Sequence, residues 1–199
     1  MDAGVVTSIA QVVERLNALP HPASGPCFVA SLPRPLSLVA TLETNSAQPP
    51  QGPHDPRVFL MAPGLVIAVV SSGTSARLLE LGEWMTATTT LKGELGLPVT
   101  RSLDSAEPFA HLDANKTRGV TSCGLCHASE AAHPSVPHGY VSAALRPKTE
   151  VKLEALAAEH EACVTRSDAS ARCDLFHALF DFGALEQGAF ADDVAYFGQ

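Results

Sequence analysis

The chain has 199 residues, of which 46% are hydrophobic, 17% charged and 6% aromatic, so it can bury a core and is too apolar for a disordered protein. Thirteen basic and 21 acidic residues give a formal net charge of −8, and a surface of that sign repels nucleic-acid phosphates. The longest apolar run, Leu65 to Val70, has six residues, far short of the ~18 that a membrane-spanning helix needs. We therefore expect no nucleic-acid partner and no membrane span.

The first predicted element is a helix. Ser8 and Gln11 match a capping box, and apolar residues recur at helical spacing over 9–19. Pro20 and Pro22 then end the helix.

Short apolar runs bounded by Pro, Gly and Ser come next, a pattern typical of antiparallel strands and hairpins. The proline-rich segment 44–56 interrupts them, and we interpret it as an exposed loop. The predicted strands are Cys27–Leu32, Leu36–Leu42, Val58–Met61, Leu65–Val70, Ala76–Leu81 and Met85–Leu91.

Two helices are predicted near the C-terminus. Pro147 and Thr149 open the first, and Ser170 opens the second, which Gly183 ends. Their apolar faces carry His160 and His177, where a histidine is usually a packing residue. The whole pattern predicts an α+β fold. It comprises a β-rich antiparallel body over residues 26–100 and a C-terminal helical hairpin. We expect a single domain over 1–199, with the N-terminal helix and body in 1–110 and a motif-bearing, helical part in 111–199.

The most informative stretch is Cys123-Gly124-Leu125-Cys126-His127. In a C-x-x-C-H motif the two thiols can add to the two vinyl groups of one porphyrin, and the histidine, one turn beyond the first cysteine, can reach the iron. A structural zinc site is an alternative, but it needs four ligands, and the other cysteines are poorly spaced for it. A redox dithiol is expected in a βαβ context, which the predicted hairpins do not supply. A chance match is the remaining alternative.

The motif resembles that of c-type cytochromes. The resemblance implies one covalent haem c, with thioether bonds to Cys123 and Cys126 and with His127 as the proximal iron ligand. Haem of this type is attached outside the cytoplasm, so we expect a periplasmic or extracellular protein whose signal peptide has been removed. Three further cysteines fit an oxidising compartment.

A β-rich body followed by a late motif is similar to cytochromes P460 and β-type cytochromes c′. The P460 group has a lysine cross-linked to its haem. Lys92 lies on a predicted strand upstream of the motif, but we expect it to be a solvated surface charge. The segments Pro26-Cys27-Phe28 and 32–36, combined with the motif, also resemble an uncharacterised group of exported bacterial proteins. That resemblance implies no activity.

The second axial ligand decides between functions. No methionine follows His127, and Met61 and Met85 fall in or beside strand-like segments, where they serve as core fillers. We expect His138 as the distal iron ligand, ahead of His133 and His111. Two histidine ligands suit single-electron transfer with a redox partner protein or a small-molecule donor or acceptor. The alternatives are an open distal site, as in a haem enzyme or small-gas binder, and a haem-free exported structural or binding module.

The remaining cysteines allow more than one pairing. Cys163 and Cys173 lie near the end of one predicted helix and the start of the next, so a local disulfide is expected, with Cys27 free and buried in its strand. The rival is a bridge from Cys27 to either of them.

Overall fold

An eight-stranded sheet organises the fold in the computed structural model, which describes residues 4–114, 116 and 119–197. The strand order is β6-β7-β5-β4-β3-β2-β1-β9, and every neighbouring pair is antiparallel except β1 and β9. A separate parallel pair joins β8 and β10. The strands are β1 Leu36–Thr41, β2 Arg57–Ala62, β3 Leu65–Val69, β4 Leu78–Trp84, β5 Thr89–Gly96, β6 Ala131–Ala132, β7 Tyr140–Ala143, β8 Leu145–Arg146, β9 Leu185–Gln187 and β10 Ala195–Tyr196.

Helices cover one face of this sheet. Within the described residues they are α1 Ile9–Ala18, α2 Gly25–Ser31, α3 Glu107–Ala114, α4 Leu153–Arg166 and α5 Ala171–Phe180, with a 3₁₀ turn at Thr74–Arg77. None of these helices is long and apolar enough to cross a lipid bilayer. Together with the mainly antiparallel sheet, these helices confirm the predicted α+β class. The strands, however, continue beyond residue 100 as β6 to β10.

The prediction of a strand over Cys27–Leu32 is wrong. The Ser24 hydroxyl accepts a hydrogen bond from the Cys27 amide at 3.2 Å, which caps a helix with Pro26 in its first turn. Phe28 and Val29 are buried on this helix, whereas Cys27 is exposed. The expectation that Cys27 is buried is therefore also wrong.

Two other strands are shifted from their predicted bounds. Residues 74–77 form the 3₁₀ turn, so β4 begins only at Leu78 and runs to Trp84. In the threonine-rich stretch, the Thr86 hydroxyl accepts from the amides of Thr88 and Thr89 at 3.3 and 3.1 Å. These local bonds hold a turn, so β5 begins at Thr89 and not at Met85.

The C-terminal helical hairpin and its local disulfide match the prediction. A Cys163–Cys173 bridge joins α4 to α5, with 5.5 Å between the Cα atoms. Helix α4 begins at Leu153, later than Pro147 and Thr149 suggest. The reason lies in the preceding residues, because the Thr149 amide donates to the Glu43 carboxylate at 2.6 Å. This contact keeps the entry to the helix extended.

Alternate residues of the central strands point to opposite faces of the sheet. One face joins the helices in the larger core, which includes Ile9, Phe28, Leu38 and Leu79. The other face carries a smaller apolar cluster that the C-terminal segment 188–197 covers. This cluster consists of Val39, Phe59, Ala68, Ala144, Phe190 and Val194. The candidate site lies on this second face.

Candidate functional site

Residues 123–127 form a single tight turn. The amides of Cys126 and His127 both donate to the Cys123 carbonyl, at 3.1 and 2.8 Å. The Gly124 amide donates to the Thr121 hydroxyl at 3.1 Å, and the Glu130 carboxylate in turn accepts from the amide and the hydroxyl of Thr121. A Cβ atom at Gly124 would lie 2.6 Å from that carboxylate, so only glycine fits there without displacing Glu130.

The turn forms one side of a cleft over the second face of the sheet. About 550 Å³ of space lies between its walls when open solvent is counted, and the cavity itself has a volume of about 70 Å³. Strands β2 to β5 and the C-terminal segment form the other walls. The lining residues are Arg57, Phe59, Val66, Ala68, Glu80, Leu81, Gly82, Trp84, Thr90, Lys92, Gly93, Cys123, His127, Ala144, Leu145, Phe190 and Phe197.

A hydrogen bond and burial together set the protonation state of His127. Its Nδ1 lies 2.7 Å from the Ala143 carbonyl, and because a carbonyl only accepts, Nδ1 carries the proton. Burial, reinforced by the positive charge of Lys92, lowers the pKa of His127 to about 4. The imidazole is therefore neutral at pH 7, with Nε2 unprotonated. Iron-ligating and zinc-ligating histidines commonly hold this tautomer through the same kind of bond to a carbonyl.

Cys123 lines the cleft as a thiol. Burial, and next the negative charge of Glu80, raise the pKa of Cys123 to about 12. Cys126 is exposed, and the two sulfurs are not bridged. A reactive dithiol needs a lowered pKa, so the environment of Cys123 disfavours that alternative. Among the described residues, three metal-binding side chains come together only on the helical hairpin, at His160, His177 and Asp181, which leaves a four-ligand zinc site at the motif without support.

Lys92 is buried, so the expectation of a solvated surface charge is wrong. Its ammonium donates to the Thr90 hydroxyl at 2.6 Å and to the Ala143 carbonyl at 3.2 Å. Burial lowers the pKa of Lys92 to about 8. The Ala143 carbonyl thus contacts both Lys92 and His127, which places the two nitrogen-bearing side chains at neighbouring positions in the cleft.

A second cation and a carboxylate complete the polar part of the cleft. Arg57 pairs with Glu80 at 2.5 Å, and its guanidinium lies 4.5 Å from the centre of the Phe59 ring. Both charged residues stand on strands, with side chains directed to the second face. Sequence reasoning missed them, and the signal that marks them is a charge at an alternate position of an otherwise apolar strand.

The other predicted histidines lie outside the cleft lining. His138 is exposed, and its Nδ1 lies 2.8 Å from Asp113. His111 pairs with Glu94 at 2.8 Å, and His133 accepts from the amides of Ser135 and Val136. Within the described part of the chain, the residues lining the cleft include His127 as their one histidine and no methionine.

The donor atoms at the cleft are of the kind that a c-type haem would use, although Cys126 lies outside the lining. Apolar side chains of the sheet and of the C-terminal segment line the cleft, and a neutral imidazole and a thiol enter from the motif turn. The nearby cations, Arg57 and Lys92, can balance carboxylates of a bound group. No protein-family model matches the chain, and no curated protein or solved structure is significantly similar to it. The assignment therefore depends on the motif and its surroundings.

Proposed function

We propose that the chain is a monohaem c-type protein with its haem in this cleft. Cys123 and Cys126 would carry the thioether bonds, and His127 would be the proximal ligand. The observation that supports this most is the hydrogen bond from His127 Nδ1 to the Ala143 carbonyl. It presents an unprotonated Nε2 in the same cleft that Cys123 lines. A covalent haem would imply a location outside the cytoplasm, and the Cys163–Cys173 bridge supports the same location.

We further propose an open distal position, which favours binding or conversion of a small ligand over bis-histidine electron transfer. A bound haem supplies an iron that binds small ligands and exchanges electrons. The chain's own residues would then select what enters the cleft. Arg57 and Lys92 offer donors to anionic or strongly polar ligands, while the Glu80 carboxylate, paired with Arg57, holds that guanidinium in place.

Single-electron transfer with His138 as the sixth ligand remains the second candidate. It requires His138 to leave Asp113 and the segment around it to move toward the cleft. The three histidines considered as distal ligands, His111, His133 and His138, all lie outside the cleft lining, and this favours the open site.

The first test is covalent haem attachment. Protein exported together with a haem-attachment system should retain haem after denaturing electrophoresis, whereas the C123A/C126A variant should not. Cys27→Ala is the matched control, because Cys27 is an exposed free thiol far along the chain from the motif, and it should keep the full haem content. A wild-type protein that stays colourless under these conditions would refute the assignment.

The second test separates the two functions. An open site predicts a high-spin spectrum and rapid carbon monoxide binding by the reduced protein, unchanged in His138→Ala. Lys92→Ala, which removes a cleft cation, should alter ligand affinity and not the haem content. A low-spin wild-type spectrum that becomes high-spin in His138→Ala would contradict the open site and establish the bis-histidine alternative.

A further inference from the structure

Three metal-binding side chains meet on the helical hairpin. His160 Nε2 lies 2.7 Å from one oxygen of Asp181, and His177 Nδ1 lies 2.8 Å from the other. The ligand atoms of all three residues fall within 4.8 Å of one another. His160 is on α4, whereas His177 and Asp181 are one turn apart at the end of α5. The cluster therefore spans both helices.

The fold holds this cluster in place before any ion binds. Cys163 follows His160 by about one turn of α4, and Cys173 precedes His177 by about one turn of α5, so the disulfide clamps the helices next to the cluster. The Phe180 ring stacks on His160 with 5.0 Å between ring centres. A ligand set fixed in this way loses little conformational entropy when it binds an ion.

The donor set is that of a transition-metal site. Two imidazole nitrogens and one carboxylate oxygen suit Zn²⁺, Cu²⁺, Ni²⁺ or Fe²⁺, whereas Ca²⁺ and Mg²⁺ prefer oxygen ligands alone. Zinc sites with three protein ligands leave a fourth position for water or a substrate. Both histidines are partly exposed, so an ion can reach the cluster from solvent.

We propose that His160, His177 and Asp181 form a site for a divalent transition metal, with Zn²⁺ as the ion to test. Each imidazole would bind the metal through an unprotonated nitrogen, so a neutral ring keeps its proton on its other nitrogen and a protonated ring releases one proton to solvent. The three residues contribute nothing to the lining of the haem cleft. The proposal is therefore independent of the proposed function.

Zinc titration of the purified protein, after chelator treatment and dialysis, tests the site. We expect one Zn²⁺ per chain at the hairpin, with no comparable binding of Mg²⁺ or Ca²⁺. Each variant that removes one ligand should lower the Zn²⁺ affinity by more than about tenfold, because only two of the three donors remain. These variants are His160→Gln, His177→Gln and Asp181→Asn. His54→Gln is the matched control. His54 also pairs with a carboxylate, Glu159, but it has no second histidine beside it.

Two precautions keep the result decisive. Free thiols also bind zinc, so the titration is repeated in the C123A/C126A background, where the hairpin site must persist. The wild-type protein gives a second readout that needs no variant, since Zn²⁺ should protect His160 and His177, and not His54, from diethyl pyrocarbonate in peptide mapping. Equal zinc binding by the wild type and all three ligand variants, or no protection of the two histidines, would overturn the proposal.

Discussion

The buried charge of Lys92 in the cleft affects the free energy of unfolding and makes it depend on pH. Because burial lowers the pKa of Lys92 to about 8, the lysine is charged below pH 8 in both the folded and the unfolded protein. In that range its burial lowers the stability of haem-free protein by about 3 kcal/mol, at ~1.4 kcal/mol per pKa unit. From pH 8 to 10.5 the unfolded state binds more protons, so stability rises with pH and the penalty disappears.

We therefore expect Lys92→Met to raise the unfolding free energy of haem-free protein by up to about 3 kcal/mol at pH 7, with little effect near pH 10.5. Urea unfolding at both pH values measures the difference. Lys148→Met serves as the control because Lys148 is exposed, and its stability should follow that of the wild type. An equal effect of Lys92→Met at the two pH values would rule out the charge as the cause.

Gly124 sets the shape of the motif turn. A methyl group there would meet the Glu130 carboxylate, which Thr121 holds in place, so Gly124→Ala must disturb the Thr121–Glu130 contact. We expect a lower yield of covalent haem per chain for Gly124→Ala. Leu125→Ala, at an exposed position of the same motif, should leave the yield unchanged, and similar losses in both variants would contradict this account.

The cysteine–histidine motif could be recognised from sequence because its chemistry depends on spacing alone. Two features could not be recognised from sequence, because both arise from contacts between elements: the burial of Lys92 and the His160–His177–Asp181 cluster. Lys92 is buried because its strand lies in the middle of the sheet, with β7 on its outer side. His160 and His177 are expected to be packing residues, and they do pack on each other and on Phe180. What the sequence did not indicate is that Asp181 bonds both of them.

At the scale of elements, α2 illustrates the limit of periodicity. A four-residue apolar run such as Cys27 to Ala30 fits a strand or a buried helix equally well. The helix forms because the Ser24 cap and the proline in the first turn favour it, and because α5 offers a surface for Phe28 and Val29. The long periodic patterns, in contrast, predicted α1 and α5 at nearly their observed positions, and α4 with a start several residues too early.

The disulfide between α4 and α5 should contribute measurably to stability. In the chain-entropy model, a loop of this length stabilises the fold by about 3 kcal/mol, and Cys163 and Cys173 are fully buried. We expect the C163A/C173A variant to lose about that amount in denaturant unfolding without loss of helical circular dichroism. Wild-type protein under reducing conditions should show a similar loss, and an unchanged midpoint in both would disprove the prediction.

At the scale of the whole molecule, the sheet separates two apolar clusters with different roles. The larger one, between the sheet and the helices, stabilises the fold. The smaller one closes the cleft, because Phe190 of the C-terminal segment packs edge-on against Phe59 with 5.4 Å between ring centres. Arg146 helps to anchor this segment through the Asp192 carbonyl at 2.8 Å. The C-terminal segment has no periodic apolar pattern, so the sequence alone did not indicate that it covers the cleft.

This division predicts that the C-terminal phenylalanines can be removed without unfolding the sheet. Phe190→Ala leaves a cavity in the smaller cluster and should lower stability by about 3 kcal/mol, near the lower end for a buried phenylalanine. Trp84, the single tryptophan, lines the cleft. Its emission in haem-free Phe190→Ala protein should therefore shift to longer wavelength as water enters. Phe182→Ala, at an exposed phenylalanine, should change neither stability nor emission. A Phe190→Ala variant whose Trp84 emission matches the wild type would show that the C-terminal segment does not close the cleft.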